Sequence, residues 1–254
     1  MNRPLISVVT ISYNAVEHIE RTIQSVINQK DANFEYIVID GGSIDGTIEI
    51  IRKYQKNIKY WHSVADSGIS DAFNQGIKKS SGQWLIFINS DDLFLNDKVL
   101  YSISPTLQDT SYDVVYGKVQ VINRYPPYQI VSKPLGKKYK ELNYLFNNLI
   151  PHQSSFINAD FFKKNGLYSI KYYLCADYEI FLRPKVLNAL HIKNVVALIS
   201  DMGLSRKKSR EVVKEWYLAR KSNRSCGSLL NRVIWLYSLT KIHIKESILR
   251  KKYQ

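Results

Sequence analysis

The sequence predicts an α/β fold in which a mostly parallel sheet is flanked by helices and followed by a helical basic tail. Three observations in the first hundred residues support this prediction. Short β-branched runs recur along the chain, segments with apolar residues at helical spacing lie between them, and polar or glycine-rich turns follow the runs. Their alternation is typical of a doubly wound unit, in which each strand is followed by a helix that returns to the sheet.

The elements of the first hundred residues follow from their periodicity. The run at 5–11 is apolar on both faces, which predicts a strand buried within a parallel sheet. Residues 15–28 come next and carry apolar side chains at helical spacing, so they predict the first helix. Further strands are predicted at 34–40, 58–64 and 84–88, and further helices at 47–55 and 69–80.

After residue 100 the alternation weakens, and no internal repeat or long glycine-serine linker marks a separate second domain. Pro126 and Pro127 predict a turn or loop, residues 132–150 a loop and a helix, and residues 178–190 a helix that carries Pro184. Strands are predicted at 114–121, 156–157 and 195–200, and helices in the remainder of the chain.

The composition fits a globular protein with a packed core. Of the 254 residues, 45% are hydrophobic and 23% are charged, which argues against intrinsic disorder. Cys175 and Cys226 are the only cysteines, so we expect neither a disulfide framework nor a structural zinc site, and a cytoplasmic protein is favoured. The sequence has no signal-peptide pattern and no run of about 18 apolar residues, which predicts a protein that is neither secreted nor transmembrane.

The net charge of +14 is unevenly distributed along the chain. Residues 1–100 carry 10 Lys and Arg against 12 Asp and Glu, whereas residues 201–254 carry 14 against 4. A basic tail of this kind can meet nucleic acid or an anionic membrane. We expect one domain over 1–205, with halves of about 1–100 and 101–205, and a basic helical extension over 206–254.

Polar side chains cluster where the predicted parallel strands end, which is the edge at which ligands bind in open α/β sheets. The residues expected at this edge are Thr10, Ser12, Tyr13, Asn14, Asp40, Asp45, Asp66, Asp71, Asp91 and Asp92. Crowded carboxylates are best tolerated beside a cation or a polyhydroxyl ligand, so the edge predicts a divalent metal with a sugar or nucleotide. Taken singly, Asp45 and Asp71 also fit a helix N-cap or a turn. The glycine turn at 41–46 lacks the G-x-G-x-x-G pattern, which argues against a dehydrogenase.

Four segments resemble, in the same order, the family 2 glycosyltransferases of the GT-A fold. They are residues 7–14, 39–47, 66–77 and 87–92. Short motifs at 151–153 and 176–179, and Arg183, are similar to motifs of bacterial polysaccharide-biosynthesis members, so the resemblance covers about 5–205. It implies a Rossmann-like GT-A catalytic domain with a nucleotide-sugar half and an acceptor half.

The resemblance implies an inverting transferase that moves a hexose or N-acetylhexosamine from a UDP-linked donor to a hydroxyl of a saccharide acceptor, itself linked to a polyprenyl diphosphate. It also implies roles for individual residues. Asp177 corresponds to the catalytic base, and Asp92 to the direct ligand of Mn²⁺ or Mg²⁺. Asp40 would bind the nucleobase or the ribose of the donor, and Tyr13 would lie against the nucleobase. The further donor-site residues are Thr10, Ser12, Asn14, Gly42, Ser43, Asp45, Asp66, Gly68, Asp71, Asn74 and Asp91, and the acceptor or sugar pocket would contain His152, Gln153 and Arg183.

Three features depart from the family pattern. Ala176 precedes Asp177 where many relatives have Glu, and residues 202–205 read Met-Gly-Leu-Ser where many have Gly-Gly-x-Ser. No C-terminal histidine ligand is identified, since His191 precedes a predicted strand and His243 lies in the basic tail. The metal ligands beyond Asp92 are therefore open. Asp177 also fits an N-cap of a helix beginning at Tyr178, and His152 also fits an ordinary buried histidine.

The tail predicts an amphipathic helix on an anionic membrane surface. Its apolar face would contain Leu230, Val233, Tyr237, Ile244 and Ile248, flanked by Arg232, Lys241 and Lys245. The alternative is a helix that packs on the catalytic domain or on a dimer partner. With the membrane reading, the protein is expected on the inner face of the cell membrane, acting in cell-surface polysaccharide synthesis.

Two other classes of function compete with the transferase. The basic charge and 18 tyrosines suggest a nucleic-acid-binding module, but no recognisable motif accompanies them, so we expect no nucleic-acid partner. A nucleotidyltransferase would share the edge and the metal. It would also need a glycine-rich, basic triphosphate loop near the first strand, and residues 12–15 are not one.

Overall fold

The computed structural model of the chain describes residues 3–201 and 208–252. In this part of the chain the strands are β1 (Ile6–Ser12), β2 (Phe34–Asp40), β3 (Tyr60–Ser63), β4 (Trp84–Phe87), β5 (Leu93–Phe94), β6 (Val114–Ile122), β7 (Ser155–Asn158) and β8 (Ala189–Ser200). The helices are α1 (Ile19–Ile27), α2 (Thr47–Lys53), α3 (Ile69–Lys79), α4 (Val99–Ile103), α5 (Glu141–Phe146), α6 (Ala159–Asn165), α7 (Ala176–Ile180), α8 (Ser209–Ser222) and α9 (Ser228–Lys252).

All eight strands form one sheet in the order β3-β2-β1-β4-β7-β6-β8-β5. The half β3-β2-β1-β4 is parallel throughout, as the sequence predicts for the first hundred residues. β7 runs antiparallel to both β4 and β6, β8 is parallel to β6, and β5 is antiparallel to β8. The predicted α/β class with a mostly parallel first half is therefore confirmed.

Helices cover both faces of the parallel half of the sheet. This explains why its strands carry apolar side chains on both faces. Val8 and Val38 face one core cluster, which includes the buried side of α1. Val9 and Ile39 face the other, which includes Phe73 on α3. Because these strands are parallel, their carboxyl ends lie together at one edge of the sheet.

The sequence prediction is wrong for the helix over 178–190. The helix there is α7, which ends at Ile180, and β8 already begins at Ala189. Pro184 explains the early end, because proline cannot donate a backbone hydrogen bond and disfavours helical geometry in the residue before it. His191 therefore lies within β8 and not before it.

The basic tail packs on the α/β domain through α8. Trp216 packs against the core cluster that contains Tyr178, with ring centroids 5.0 Å apart, and Ala219 is part of that cluster. The predicted boundary at 205 and the Met-Gly-Leu-Ser segment at 202–205 lie outside the described residues. No helix in the described ranges is long and apolar enough to cross a membrane.

Candidate active site

Asp40, at the end of β2, is the centre of a hydrogen-bond cluster at the edge where the parallel strands end. Its fully buried carboxylate accepts bonds from the hydroxyls of Ser12 at 2.8 Å, Ser43 at 2.6 Å and Ser63 at 2.6 Å. It also accepts from the backbone amides of Gly42 at 3.1 Å and Ser43 at 2.8 Å. Five protein donors occupy this carboxylate, so the structure gives Asp40 a role in holding three strand ends and the glycine turn together.

A second cluster joins the end of β1 to the turn before α2. The backbone amide of Asn14 donates to Ser43 Oγ at 2.8 Å, and the side-chain Oδ1 of Asn14 accepts from the backbone amide of Ile44. Asp45 Oδ1 accepts from the Thr47 amide and hydroxyl, and Asp45 Oδ2 accepts from the Val16 amide. Asp45 thus stabilises the turn into α2, in agreement with the alternative reading of a turn residue.

The remaining residues at the end of β1 differ in exposure. Thr10 is buried, donating to the Ile88 carbonyl at 2.7 Å and accepting from the Tyr36 hydroxyl at 3.0 Å. Tyr13 is 66% exposed, so its ring is available to a ligand.

Asp66 lies in the loop that leads from β3 into α3, and Asp71 lies in the first turn of α3. Asp66 Oδ1 accepts from the Gly68 amide at 2.8 Å, and Asp71 Oδ2 accepts from the Ser67 amide at 3.1 Å. A Cβ on Gly41 would lie 2.7 Å from Asp66 Oδ2, which shows how closely the two turns approach. Gly68 has φ +108°, a conformation that favours glycine. Both carboxylates are partly exposed at the same edge as Asp40.

Asn74 holds α3 against a distant loop. Its side-chain nitrogen donates to the Tyr168 carbonyl at 2.9 Å, and its side-chain oxygen accepts from the Tyr168 amide at 2.9 Å. Both polar atoms of this buried side chain therefore have partners within the protein.

The two adjacent acids after β4 occupy different environments. Asp92 is only 3% exposed, and burial together with the neighbouring Asp91 raises its pKa well above the usual range, opposed by a hydrogen bond from the Gln153 side chain. The Asp91 side chain is 27% exposed and lies 3.7 Å from Nη1 of Arg124. Gln153, predicted to line a sugar pocket, contacts Asp92.

After β4, two oxygen donors that could bind a divalent cation are the partly exposed Asp91 carboxylate and the Asn89 side-chain oxygen. Asn89 Oδ1 is buried and has no hydrogen-bond partner among the described residues. Carboxylate and amide oxygens suit Mg²⁺ and Mn²⁺. No group of three His, Cys, Asp or Glu side chains forms a metal site within the described ranges. The oxygens of Asp91 and Asn89 therefore fit a cation whose other ligands come from a bound molecule such as a diphosphate.

Arg124, which the sequence reasoning missed, reaches this edge from the end of β6. Its Nε donates to His18 Nε2 at 2.7 Å. Burial and the nearby Arg124 charge lower the pKa of His18, which keeps the imidazole neutral and able to accept. The two residues are 106 positions apart, and no local pattern could have paired them.

Asp177 is the second residue of α7, which begins at Ala176 with Cys175 as its N-cap. It is therefore not the N-cap of a helix beginning at Tyr178. Asn148 Nδ2 donates to Asp177 Oδ2 at 2.9 Å, and burial raises the pKa of Asp177 to about 6. Asn148 was also missed by sequence reasoning, because it lies in a loop before β7.

His152 and Arg183 have partners within the protein. His152 is buried, stacks on Phe87 with ring centroids 4.9 Å apart and shares a hydrogen bond with the Tyr168 hydroxyl at 2.9 Å. Burial lowers the pKa of His152 to about 3, so the ring is neutral, as in an ordinary buried histidine. Arg183 Nη2 lies 2.6 Å from Glu179 Oε2, and its Nη1 donates to two backbone carbonyls. Their contacts with a sugar stay a prediction.

Residues 7–165 match the family model described as Glycosyl transferase family 2, and the chain belongs to this family. An uncharacterized glycosyltransferase of Mycobacterium tuberculosis is 32% identical over 191 residues, which is 71% of this chain and 68% of that protein. The putative teichuronic acid biosynthesis glycosyltransferase TuaG of Bacillus subtilis is 38% identical over 100 residues, 38% of this chain and 40% of that protein. Family membership decides for a glycosyltransferase over a nucleotidyltransferase.

Solved structures show that the fold is GT-A. The crystal structure of residues 1–349 of S. aureus TarS in complex with UDP-GlcNAc has a TM-score of 0.66 and 18% identity, over 92% of this chain and 71% of that one. The mannosyltransferase PcManGT from Pyrobaculum calidifontis in complex with GDP-Man and Mn²⁺ has a TM-score of 0.66 and 14% identity, over 96% and 71%. The chain spans 42% of the longer S. aureus TarS chain.

Proposed function

We propose that this protein transfers a hexose or N-acetylhexosamine from a UDP-linked donor to a hydroxyl of a saccharide acceptor, with inversion, in cell-surface polysaccharide synthesis. One observation carries the proposal. Asp177 is a partly buried carboxylate with a pKa of about 6, held through one oxygen by Asn148. A carboxylate whose pKa is raised toward neutrality is suited to general-base catalysis.

The proton and the electron pairs in this reaction balance without a further reactant. Asp177 takes the proton of the acceptor hydroxyl as that oxygen forms a bond to the anomeric carbon. The bond from the anomeric carbon to the donor diphosphate breaks, and its electron pair leaves with the nucleoside diphosphate. Attack from the face opposite the leaving group inverts the configuration.

At the donor edge, the residues divide into those that shape the site and those free to contact a ligand. Asp40 holds the turn at Gly42 and Ser43, and Tyr13 is exposed where a base could stack. A UDP donor is supported by the complex of TarS with UDP-GlcNAc, and the polysaccharide pathway by the teichuronic acid role in the name of TuaG.

A divalent cation, when bound, would neutralise charge on the leaving diphosphate. The Mn²⁺ in the PcManGT complex supports its use here. The exposures of the two acids favour Asp91 over Asp92 as the carboxylate ligand, with Asn89 Oδ1 as a second oxygen. Arg124 adds a protein cation at the same edge, placed to bind a donor phosphate.

The test is a donor screen with the full chain. UDP, GDP and TDP sugars are incubated with Mn²⁺ and a saccharide acceptor, and nucleotide release is measured. We expect release from a UDP sugar, and its loss in the Asp177→Asn variant. If a GDP or TDP sugar is the preferred donor, the proposed UDP donor is contradicted. If no donor releases its nucleotide, the proposed activity is contradicted.

The exposed face of α9 supports a location on an anionic membrane. Ile234 and Ser238 are buried against the protein, whereas a different face carries exposed apolar side chains: Leu229, Val233, Leu236, Tyr237 and Ile244. This stripe overlaps the apolar face expected from the sequence. It lies in a basic tail, so the charge complements anionic lipid.

A flotation assay with phosphatidylglycerol vesicles tests the location. Leu229→Glu with Leu236→Glu should abolish flotation, while Val186→Glu with Ile170→Glu, at exposed apolar positions outside the tail, should leave it intact. Equal flotation of the two double variants would contradict the proposal, and a change in sedimentation would indicate that the stripe joins two copies of the chain.

A further inference from the structure

A cavity lies at the junction of α8 and α9, among residues other than those of the candidate active site. Its volume is about 200 Å³, and its lining includes the cations Lys221, Arg224 and Arg232 together with Asn231 and Ser228. No carboxylate contributes to this lining. A water molecule occupies about 30 Å³ in the liquid, so the cavity has room for a larger polyatomic group.

Arg220 is a buried cation that binds the cavity residue Asn231, and its hydrogen-bond partners are all neutral. The side chain is fully buried, with Nε donating to Asn231 Oδ1 at 2.7 Å and Nη1 donating to the Leu145 carbonyl at 2.9 Å and to the Tyr178 hydroxyl at 3.2 Å. Its Nη2 has no hydrogen-bond partner among the described residues, and none of the bonds from its other two nitrogens goes to a carboxylate.

One hydrogen bond connects the Arg220 guanidinium to the wall of the cavity. Asn231, which it binds, lines the cavity, and so does Cys226. Burial raises the pKa of the Cys226 thiol, and the Arg220 charge partly offsets that effect. The hydroxyl of Ser225, next to Cys226, is also buried without a described partner.

A buried charge without a counter-charge is unfavourable, and an anion at the cavity wall would relieve that cost. The guanidinium, ammonium and hydroxyl groups of the cavity lining are hydrogen-bond donors that match the oxygens of a tetrahedral anion. We propose that this cavity binds a phosphate group. The proposal does not depend on the glycosyl-transfer proposal, since the cavity lining contains none of the residues assigned to that reaction.

Two sources could supply the phosphate, and both fit the same chemistry. One is a phosphate-bearing lipid headgroup, because the exposed apolar stripe of α9 begins at Leu229, next to Ser228 of the cavity. The other is free phosphate in solution. An experiment with two arms distinguishes them.

The first arm uses calorimetry and thermal melting with inorganic phosphate on the full chain. Ionic strength is held constant with chloride, and UDP is present at saturation so that the donor edge does not take the anion. We expect phosphate to raise the melting temperature relative to chloride. Lys221→Gln with Arg232→Gln, both exposed at the cavity rim, should weaken phosphate binding about tenfold or more.

The second arm measures flotation with phosphatidic acid vesicles and with phosphatidylcholine vesicles. The matched control is Lys214→Gln with Lys193→Gln, which removes the same charge at exposed positions outside the cavity. Melting without ligand confirms that both double variants fold.

Loss in either arm that is specific to the cavity variant supports the site, and the arm in which it occurs identifies the source. Equal behaviour of the cavity variant and the control variant in both arms would overturn the proposal.

Discussion

Asn148 Nδ2 donates a hydrogen bond of 2.9 Å to Asp177 Oδ2, and so a loop before β7 holds the carboxylate that we propose as the catalytic base. The same Asn148 accepts from the Ile150 amide through its Oδ1, which fixes the orientation of its amide group. This bond to Asp177 favours the ionised carboxylate, whereas burial favours the protonated one.

The first prediction concerns Asn148→Ala. Removing the donor leaves burial opposed only by the backbone amides of Tyr178 and Asp177, so the pKa of Asp177 should rise from about 6, by roughly one unit. A base must be deprotonated to act, so the acid limb of the kcat/KM profile against pH should move to higher pH. Asn147→Ala, at the exposed neighbouring position, is the control. Profiles that coincide for the two variants would show that Asn148 does not tune the base.

The second prediction concerns Asp177→Asn, which keeps the size but cannot take a proton. Turnover should fall by about 100-fold or more, with little change in UDP affinity. The folded pKa of Asp177 is raised, so wild-type stability should decrease as pH rises from about 4 through about 6. The variant should lose this contribution and melt no lower than wild type at pH 7. A near-normal rate would exclude Asp177 as the base.

The third prediction separates the two adjacent acids by their metal dependence. Asp91→Asn should raise the Mn²⁺ concentration for half-maximal nucleotide release by about tenfold or more, because it weakens a charged oxygen ligand. Asp92→Asn should change this concentration little, because Asp92 is buried and bonded to Gln153. The reverse order of effects would restore Asp92, the residue expected from the sequence, as the direct ligand. Full activity of the wild type in EDTA would contradict any metal ligand here.

The fourth prediction concerns Asp40→Asn. The substitution replaces an acceptor oxygen by a donor among five protein donors, and an unsatisfied buried polar group costs about 1 to 3 kcal/mol. The melting temperature should fall by about 5 °C, and UDP affinity should fall with it because the glycine turn loses its support. A loss of UDP affinity with an unchanged melting temperature would instead indicate that Asp40 contacts the nucleobase directly.

The sequence was sufficient to predict the parallel half of the sheet. β1 and β2 are apolar on both faces and are followed by amphipathic helices, and these signals are local, so they survive without knowledge of the rest of the chain. The second half was predicted less well. β7 and β8 take their places by antiparallel and irregular pairing with β6, and the helix at 178–190 was cut short at Ile180.

The sequence by itself determined which polar side chains lie at the strand ends, because each apolar run and the polar residues that follow it are local features of the chain. Only the tertiary structure decided what those side chains do. Asp40 accepts hydrogen bonds from donors on β1 and β3, Asp92 is buried and hydrogen-bonded to Gln153, and Asp91 lies beside Arg124. Asn148 meets Asp177 across 29 positions and Arg124 meets His18 across 106. Contacts of this length depend on the closure of loops that carry no periodic signal, and they set burial, from which the pKa of Asp177 follows.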